Sequence, residues 1–302
     1  MSRFLARVCV PAITVLALAG CGSSSTSSSS SSTTPAGAST SPSANAAIAA
    51  QVPAAIKSKG TLNVASEAQY APNEFVAPDG HTVIGMDADL VKALATVMGL
   101  KVNIINSNFE TIIPGLKAGR YDLGVSSFTD NKEREKTVDF VTYYSAGISF
   151  YAKSSENPGV KTVADLCGKK VAVQKGTVEQ EESAKQSAKC TKEGKKAVTA
   201  LVFPGQNPVN LAVVSGRAEL GMADSPVVAY QIKQANGQLK LIGESYSFAP
   251  YGLAIPKNNG MAAPILAALK ELMSNGTYGQ ILTKWGIQSG AISTPKINGA
   301  TS

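Results

Sequence analysis

The chain has 302 residues, with 28 Lys and Arg against 21 Asp and Glu, and a formal net charge of +7. Its lysines concentrate in residues 169–196 without interleaved aromatic side chains, which argues against nucleic-acid binding and favours a solvated basic face. The only histidine, His81, follows a Pro-Asp-Gly turn signal with no thiol nearby, so we expect neither a metal site nor a cofactor.

Residues 1–20 have the parts of an export signal. Arg3 and Arg7 supply a basic start, residues 8–18 are apolar, and residues 18–21 read Leu-Ala-Gly-Cys. The apolar run is too short to span a bilayer as a helix. The tetrad resembles the lipobox of bacterial lipoproteins, which implies cleavage before Cys21 and palmitate-type acylation of its thiol. An ordinary signal peptide with an incidental cysteine is the alternative.

Residues 21–54 consist mainly of Ser, Thr, Ala, Gly and Pro. Such a composition cannot bury enough apolar surface to offset chain entropy, so we predict a flexible tether behind the lipidated cysteine. About thirty flexible residues reach roughly 30 Å, which lifts the following domain clear of a lipid surface. We therefore expect the protein at the outer face of the cytoplasmic membrane, held there by its lipid anchor.

The cysteines fit an exported protein. Cys9 leaves with the signal and Cys21 carries the lipid, so Cys167 and Cys190 remain as the only pair. In an oxidising compartment we predict that they form one disulfide, which stabilises the fold by roughly 3 kcal/mol in the loop-entropy model.

From Thr61 onward, short β-branched runs alternate with helical patterns. Asp87 is a candidate N-cap and Gly99 a C-terminal stop for the first long helix. The predicted elements are a strand at 62–65, a helix at 87–98, a strand at 101–106, a helix at 111–118 and a strand at 121–126. This βαβαβ order predicts an α/β fold with a mainly parallel sheet flanked by helices.

The second half of the chain repeats this order. The predicted elements are a strand at 170–174, a helix at 178–188, a strand at 198–203, a helix at 208–215 and a strand at 219–223. Residues 119–125 (GRYDLGV) match residues 216–222 (GRAELGM) at an offset of 97, which is 216 − 119. The match favours two similar lobes, although a helix stop feeding a buried strand could produce it by convergence.

Open parallel sheets bind ligands at the carboxyl ends of their strands. In the first half these ends are residues 67–70, 108–109 and 127–134, and in the second half they are residues 174–178, 203–206 and Asp224. If the two lobes face each other, these residues line one cleft.

The cleft residues suit a zwitterionic amino acid. Among them we select Arg134 as the positive group, and Glu67 and Asp224 as carboxylates from different lobes. A guanidinium can hold an α-carboxylate through two hydrogen bonds, while a carboxylate pairs with the α-ammonium. The other candidates are the hydroxyls of Ser127 and Thr129 beside Arg134, the aromatic rings of Tyr70 and Phe109, and Gln174, Thr177 and Val178 at the start of the second lobe's helix. Thr177 with Gln180 resembles a capping box, whose helix N-terminus favours negative charge.

Each candidate also has a purely structural interpretation. Arg134 lies in a Lys-Glu-Arg-Glu-Lys run that could be a solvated helix face. Glu67 and Asp224 could cap the helices that follow them, and Tyr70 and Phe109 could belong to the core. Their shared position at strand ends is what favours a site.

Ordered motifs over about residues 55–290 resemble the family 3 solute-binding proteins of polar amino acid ABC importers. The motifs are residues 64–75 (VASEAQYAPNEF), 84–90 (IGMDADL), 112–122 (IIPGLKAGRYD), 129–134 (TDNKER) with 138–140 (VDF), 171–177 (VAVQKGT), 223–226 (ADSP) and 275–286 (NGTYGQILTKWG).

The resemblance implies a two-lobed, type II periplasmic-binding-protein fold in which the chain crosses twice between the lobes. Lobe I would comprise residues 55–150 plus 250–290, lobe II residues 151–249, and the tail residues 291–302. The crossovers would lie near residues 149–153 and 248–254.

The resemblance also implies roles for individual residues. Arg134, Ser127 and Thr129 match positions that hold the ligand's α-carboxylate, Asp224 matches the position that holds its α-ammonium, and Tyr70 and Phe109 match positions that pack on it. Three residues depart from the usual pattern: Asn73 replaces an aromatic residue, Val178 a small or hydroxyl residue, and Asn131 a threonine. Glu67 approaches the ligand side chain and would repel acidic ligands, so we expect a polar amino acid, amide or basic rather than acidic.

The expected function is that of a non-enzymatic substrate-binding lipoprotein of an ABC importer, whose permease and ATPase are separate chains. A sensory lipoprotein with the same lobes is one alternative. A dehydratase-like enzyme with Glu67 or Glu179 as general acid is another, because a few relatives with this fold are dehydratases.

Overall fold

The computed structural model describes residues 42–301. In chain order the helices are α1 (Ala46–Gln51), α2 (Ala54–Lys59), α3 (Met86–Val97), α4 (Phe109–Lys117), α5 (Lys132–Glu135), α6 (Val178–Lys192), α7 (Gln206–Val214), α8 (Ser225–Gln234), α9 (Ala262–Ser274) and α10 (Thr277–Trp285). The strands are β1 (Thr61–Ser66), β2 (Gln69–Tyr70), β3 (Glu74–Val76), β4 (Val83–Ile84), β5 (Lys101–Asn106), β6 (Leu123–Gly124), β7 (Val138–Lys153), β8 (Lys170–Gln174), β9 (Thr199–Phe203), β10 (Leu220–Asp224) and β11 (Leu239–Pro256).

Eight strands form one sheet in the order β5-β1-β6-β11-β7-β10-β8-β9. Strands β5, β1 and β6 are parallel to one another and form what we call the first half. Strands β10, β8 and β9 are likewise parallel and form the second half. The predicted α/β fold with a mainly parallel sheet flanked by helices is confirmed.

The two halves are joined by the long antiparallel pair β7 and β11. These strands pair from Leu239 with Lys153 to Pro256 with Val138, and register shifts interrupt the pairing between Ile242 and Gly252. The crossovers predicted near residues 149–153 and 248–254 fall on these strands. The assignment of residues to two moving lobes stays a prediction.

Helix α3 shows how the sequence pattern builds the core of the first half. Leu90, Val91, Leu94 and Val97 recur at helical spacing and are all buried, as the periodicity predicts. The predicted N-cap is wrong, however, because Gly85 occupies that position and Asp87 is the second residue of the helix. The Asp87 carboxylate turns inward instead and accepts a hydrogen bond from the backbone N–H of Ser127.

The internal repeat corresponds to equivalent places in the two halves. Gly119 and Gly216 each follow a helix, α4 and α7, and have φ angles of 71° and 74°. The chain then enters β6 in the first half and β10 in the second. Strand β6 is shorter than the predicted strand at 121–126; just before it, the Asp122 side chain accepts a hydrogen bond from the Asn63 N–H.

Part of the segment that composition assigns to the tether is helical. Asn45 caps α1 by accepting hydrogen bonds from two backbone N–H groups, and Ile48 and Val52 are buried against the core of the first half. These two apolar side chains supply the burial that the Ser-rich stretch before them lacks. Cys21 and the rest of the predicted signal and tether up to residue 41 lie outside the described residues.

The predicted disulfide is confirmed: Cys167 and Cys190 are bonded. Cys190 is fully buried on the inner face of α6, within the core of the second half. Within residues 42–301, no helix is long and apolar enough to cross a membrane.

The last segment of the chain packs along the outside of β7. Backbone hydrogen bonds join the Thr142 N–H to the Lys296 carbonyl and the Asn298 N–H to the Phe140 carbonyl, each at 2.9 Å. The predicted tail at 291–302 is therefore attached to the sheet over part of its length.

Candidate functional site

A cavity lies where the carboxyl ends of the parallel strands of both halves meet. The space between its walls that atoms leave empty, including the part open to solvent, is about 290 Å³. The ten sequence-predicted site residues all line it, namely Glu67, Tyr70, Phe109, Ser127, Thr129, Arg134, Gln174, Thr177, Val178 and Asp224. Three further residues complete the wall: Glu74, Ser126 and Glu179.

Arg134 is held at the cavity by contacts with both halves. Its guanidinium donates hydrogen bonds to the Thr129 carbonyl at 2.8 Å and, across the cleft, to the Gly176 carbonyl at 3.0 Å. The same group lies over the rings of Phe109 and Phe128, 5.6 and 5.7 Å from their centroids. Burial lowers the pKa of Arg134, and the surrounding carboxylates oppose this shift. Arg134 thus lines the cavity and contacts both halves, so it does not belong to a solvated helix face.

The backbone places Arg134 through a short capped helix. Asn131, the N-cap of α5, accepts a hydrogen bond from the Arg134 N–H at 2.8 Å. Asparagine caps helices as well as the threonine usual at this position, so this departure leaves the local structure unchanged.

Asp224 and Tyr70 meet across the cleft. The Tyr70 hydroxyl donates to the Asp224 carboxylate at 2.9 Å and accepts from the Asp224 N–H at 3.0 Å. Asp224 is the N-cap residue of α8, but its side chain makes no capping hydrogen bond and is directed to the cavity. Burial raises the pKa of Asp224 to about 6, opposed by Tyr70 and Arg134.

Glu67 is a buried carboxyl group at the end of β1. Its backbone N–H donates to the Ser126 hydroxyl at 3.0 Å, which ties the ends of β1 and β6 together. Burial raises the pKa of Glu67 to about 7, and the neighbouring Gln174 amide opposes the shift. Glu67 is the N-cap of none of the described helices, and it lines the cavity.

Glu179 lies in the first turn of α6, where Thr177 is the N-cap. The Thr177 hydroxyl accepts from the Gln180 N–H, whereas the Gln180 side chain accepts from Gly176 N–H, one residue earlier than in a capping box. Burial, followed by the charge of Asp224, raises the pKa of Glu179 to about 8. Its Oε1 is buried without a hydrogen-bond partner among the described residues. Sequence reasoning considered Glu179 only as a catalytic acid.

Beneath the cavity, a polar cluster fixes the backbone of Ser127. The Ser127 N–H donates to Asp87 at 2.9 Å, its hydroxyl donates to Glu74 at 3.0 Å, and Asn73 donates to that hydroxyl at 2.9 Å. Ser127 has a φ of 47°, a conformation that needs such support in a non-glycine residue. Burial and the nearby charge of Asp87 raise the pKa of Glu74 well above its ordinary value.

Phe109 supplies an aromatic wall that is itself supported. Its ring stacks on Phe128 with centroids 4.6 Å apart and an interplanar angle of 22°. Phe109 begins α4 and is buried, so it belongs both to the core and to the cavity wall. The core interpretation and the cavity interpretation of Phe109 therefore both apply.

The cavity as a whole is acidic. Four carboxyl groups, those of Glu67, Glu74, Glu179 and Asp224, surround one guanidinium. Within residues 42–301, no group of three or more His, Cys, Asp or Glu side chains is arranged to hold a metal ion. Such a wall is complementary to an organic cation that also carries one carboxylate.

These features define a binding cleft of the solute-binding-protein kind, built at the strand ends of two similar halves. The family model for bacterial extracellular solute-binding proteins, family 3, matches residues 62–288, and the chain belongs to that family.

Individual proteins are similar over most of their length. The arginine-binding protein ArgT of Corynebacterium glutamicum is 35% identical over 252 residues, which is 83% of this chain and 82% of that protein. An ancestral arginine-binding protein bound to arginine has a TM-score of 0.69 and 34% identity, covering 75% of this chain and 98% of the ancestral one. The same kind of ancestral protein bound to glutamine has a TM-score of 0.69 and 34% identity, covering 76% and 98%.

Proposed function

We propose that this protein binds a basic amino acid, arginine above all, in the closed cleft between its two halves. The observation that carries the proposal is the composition of the cavity wall, where four carboxyl groups face one guanidinium. Free arginine has two positive groups and one negative group, so it matches this wall better than a neutral amide or an acidic amino acid does.

Each end of the ligand has a partner in this proposal. Arg134 and the Thr129 hydroxyl receive the α-carboxylate, joined by the Ser127 hydroxyl once it redirects its proton from Glu74 to the ligand. Asp224 receives the α-ammonium. Glu67 receives the guanidinium of the ligand, whose planar group also stacks on Phe109. Val178 contributes only its backbone N–H and apolar contact, since its side chain cannot donate a hydrogen bond.

The similar proteins support arginine and also identify the main competitor. ArgT and the proteins of both ancestral structures are arginine-binding by their names, and one of the two ancestral structures is bound to glutamine. The choice between arginine and glutamine therefore depends on whether the carboxyl groups at the side-chain end of the cavity are ionised.

Calorimetry on the domain, freed of bound ligand by unfolding and refolding, tests this proposal. We expect arginine to bind more tightly than lysine, glutamine or histidine, and glutamate not to bind. Arg134→Ala should lose about 30-fold or more in affinity, because it removes the partner of a buried carboxylate. The matched control is Arg120→Ala, since Arg120 lies over the Tyr121 ring outside the cavity. Full affinity in Arg134→Ala, or no binding of any common amino acid at millimolar concentration, refutes the proposal.

We further propose that residues 55–150 with 250–290 and residues 151–249 act as two lobes that close on the ligand. Binding by groups from both halves supports this, because a ligand stabilises the state in which it makes more contacts. Contacts across the cleft, such as Tyr70 with Asp224 and Arg134 with Gly176, are those that an open form would lose.

The setting we propose is an ABC importer, with permease and ATPase on separate chains and this protein lipid-anchored through Cys21. The family is extracellular by description. Metabolic labelling with a radioactive fatty acid should label the full-length protein but not its Cys21→Ser variant. Label in both variants, or in neither, refutes the anchor. Loss of arginine uptake when the gene for a neighbouring permease is deleted tests the partner.

We also propose that the protein releases its ligand unchanged. The raised pKa values of Glu67 and Glu179 would suit a general acid, so this point needs its own measurement. Mass spectrometry of arginine incubated with the protein should recover only arginine. A product of altered mass would instead favour an enzyme.

A further inference from the structure

The residues that would hold the ligand's α-carboxylate share one loop, residues 127–135, which we call the carboxylate loop. It includes Ser127, Thr129 and Arg134 and ends in the four-residue helix α5. On one side it is attached to β11, where Thr129 forms a bridge with Tyr251 and the Asp130 N–H donates to the Pro250 carbonyl at 2.8 Å. A helix this short does not hold its own position, so the other side of the loop needs support.

That support comes from the last residues of the chain. The Gly299 N–H donates to the Asp130 carboxylate at 2.7 Å, and the Ala300 N–H donates to the Glu135 carboxylate at 3.2 Å. Asp130 and Glu135 flank Arg134 in sequence, so the tail is hydrogen-bonded to the loop on both sides of Arg134.

The tail is itself fixed to β7. The Lys296 N–H donates to the Thr142 hydroxyl at 2.9 Å. The Asn298 side chain accepts from the Phe140 N–H at 2.8 Å and donates to Asp139 at 3.0 Å. Residues 296–300 therefore connect the carboxylate loop to the long strand that joins the two halves.

Asp130 and Glu135 are two acidic side chains close together, so they need hydrogen-bond donors. Asp130 is fully buried, and desolvation together with the charge of Glu135 raises its pKa to about 7, while the Gly299 N–H opposes the shift. Without the tail, Asp130 would be uncovered and would lose its backbone donor. A buried carboxyl group that loses such a donor rearranges, and the loop moves with it.

We propose that residues 296–300 position the carboxylate loop and so set the affinity for the ligand's α-carboxylate end. The affinity part of this inference rests on the proposed function, whereas the positioning part concerns the ligand-free protein. The hydrogen bonds of residues 296–300 go to β7 and to the loop, none of them to a residue lining the cavity, so we infer that the tail acts through Asp130 and Glu135.

Two truncations test the inference. One variant ends after Pro295, and the matched control lacks only residues 301–302 and keeps both tail donors. Hydrogen exchange of the ligand-free proteins is the first readout. Exchange in residues 127–135 should accelerate at least about tenfold in the long truncation, with residues 170–178 and 220–228 unchanged. Acceleration throughout the protein would mean general destabilisation, and no acceleration would mean no positioning; either result overturns the inference.

Calorimetry with arginine is the second readout. The long truncation should bind arginine about tenfold more weakly, a loss expected when hydrogen bonds to charged groups are removed, and the control should match the full chain. Undiminished affinity in the long truncation overturns the inference. If the full chain itself binds no arginine, the proposed function fails and hydrogen exchange alone decides about the tail. Should the long truncation not fold, Asn298→Gly, which keeps the φ of 52° accessible, takes its place in both measurements with the same outcomes.

Discussion

At the scale of single residues, the cavity combines groups whose charge depends on what they face. Glu67, Glu179 and Asp224 are buried, and burial favours their neutral forms. A cationic ligand favours the ionised forms, so binding and proton release are linked. Arg134 is the fixed charge among them, and the α-carboxylate is its natural partner.

Replacing Glu67 with glutamine should shift the ligand preference of the cleft from arginine towards glutamine. Glu67→Gln keeps the size and hydrogen-bonding capacity of the side chain but removes its charge. We expect arginine affinity to fall about tenfold, and glutamine affinity to stay equal or rise, because only arginine loses an ionic partner. Calorimetry with both ligands measures this.

The control for that experiment is Glu133→Gln. Glu133 is exposed on α5, pairs with Lys136 and lies outside the cavity, so both affinities should stay as in the wild type. An equal loss of arginine and glutamine affinity in Glu67→Gln would show that Glu67 acts structurally and not on the ligand's charge.

Stability and affinity should respond to pH in opposite directions. The pKa values of Glu67 and Glu179 in the folded protein are about 7 and 8, above the ordinary 4.5 that the unfolded chain has. Between pH 4.5 and 8 the folded state thus binds more protons than the unfolded state, and stability, greatest near the low end, falls as pH rises. Arginine favours the ionised carboxylates, so its affinity rises over the same interval.

Thermal unfolding at pH 5, 6, 7 and 8, with and without arginine, measures both trends. The Tm of the ligand-free protein should fall with pH while the shift produced by arginine grows. The double variant with Glu67→Gln and Glu179→Gln should flatten both curves. A ligand-free Tm that rises from pH 5 to 8 would contradict the assignment of these raised pKa values.

At the scale of elements, hydrophobic periodicity and the residues that begin or end helices predicted the strands of the sheet well. The strands at 101–106 and 170–174 have the predicted bounds, since each is a β-branched run between clear helix signals. The candidate residues at the strand ends do line one cavity, because parallel strands end at one edge of a sheet. The site was predictable to this extent without knowledge of tertiary contacts.

What could not be predicted depends on contacts distant in sequence. Glu74 reaches the cavity wall because β2, β3 and β4 form a small separate sheet that brings it beneath Ser127, 53 positions further along. The local sequence predicts Asp87 as a helix N-cap, yet its carboxylate lies inside the fold and accepts a hydrogen bond from the Ser127 N–H. Likewise, the composition of residues 296–300 does not predict their hydrogen bond to Asp130.

The disulfide should stabilise one element without affecting the site. Cys167 and Cys190 are separated by 23 positions and hold α6 against the core of the second half, away from the cavity wall. In Cys167→Ser with Cys190→Ser, we expect the free energy of unfolding to drop by about 3 kcal/mol. Denaturant unfolding measures this drop.

Arginine affinity of the folded double variant is the complementary measurement, and it should be unchanged within about twofold. Reduction of the wild-type protein should reproduce both results. If the double variant is fully folded and still binds arginine much more weakly, the disulfide also positions the helix N-terminus at Thr177 and Glu179.

At the scale of the whole molecule, the two halves of the sheet meet closely at one point. Gly176, at the turn before α6, lies against Glu110 at the start of α4, and its carbonyl receives the hydrogen bond from Arg134. A Cβ added to Gly176 would lie 2.9 Å from the Glu110 Cβ and 3.2 Å from its Cα. These contacts exist only when the two halves are together.

Gly176→Ala should therefore oppose closure more than it opposes folding. The substitution has two costs, the strain of a positive φ of 80° and the steric conflict with Glu110. Strain of this kind is about 1–2 kcal/mol and is present in the open and the closed form alike. The steric conflict is felt only in the closed form, so it weakens arginine binding, by about tenfold or more.

Gly194→Ala separates the two costs. Gly194 has a φ of 73° and no atom within 4 Å of an added Cβ, so it carries the strain without the steric conflict. Both variants should lose similar stability in the ligand-free state, but only Gly176→Ala should lose affinity. Small-angle scattering should show the radius of gyration shrinking with arginine in the Gly194 variant and shrinking less in the Gly176 variant. Equal affinities in the two variants would mean that ligand binding does not require the halves to approach as closely as they do here, and closure would no longer explain how the cleft selects its ligand.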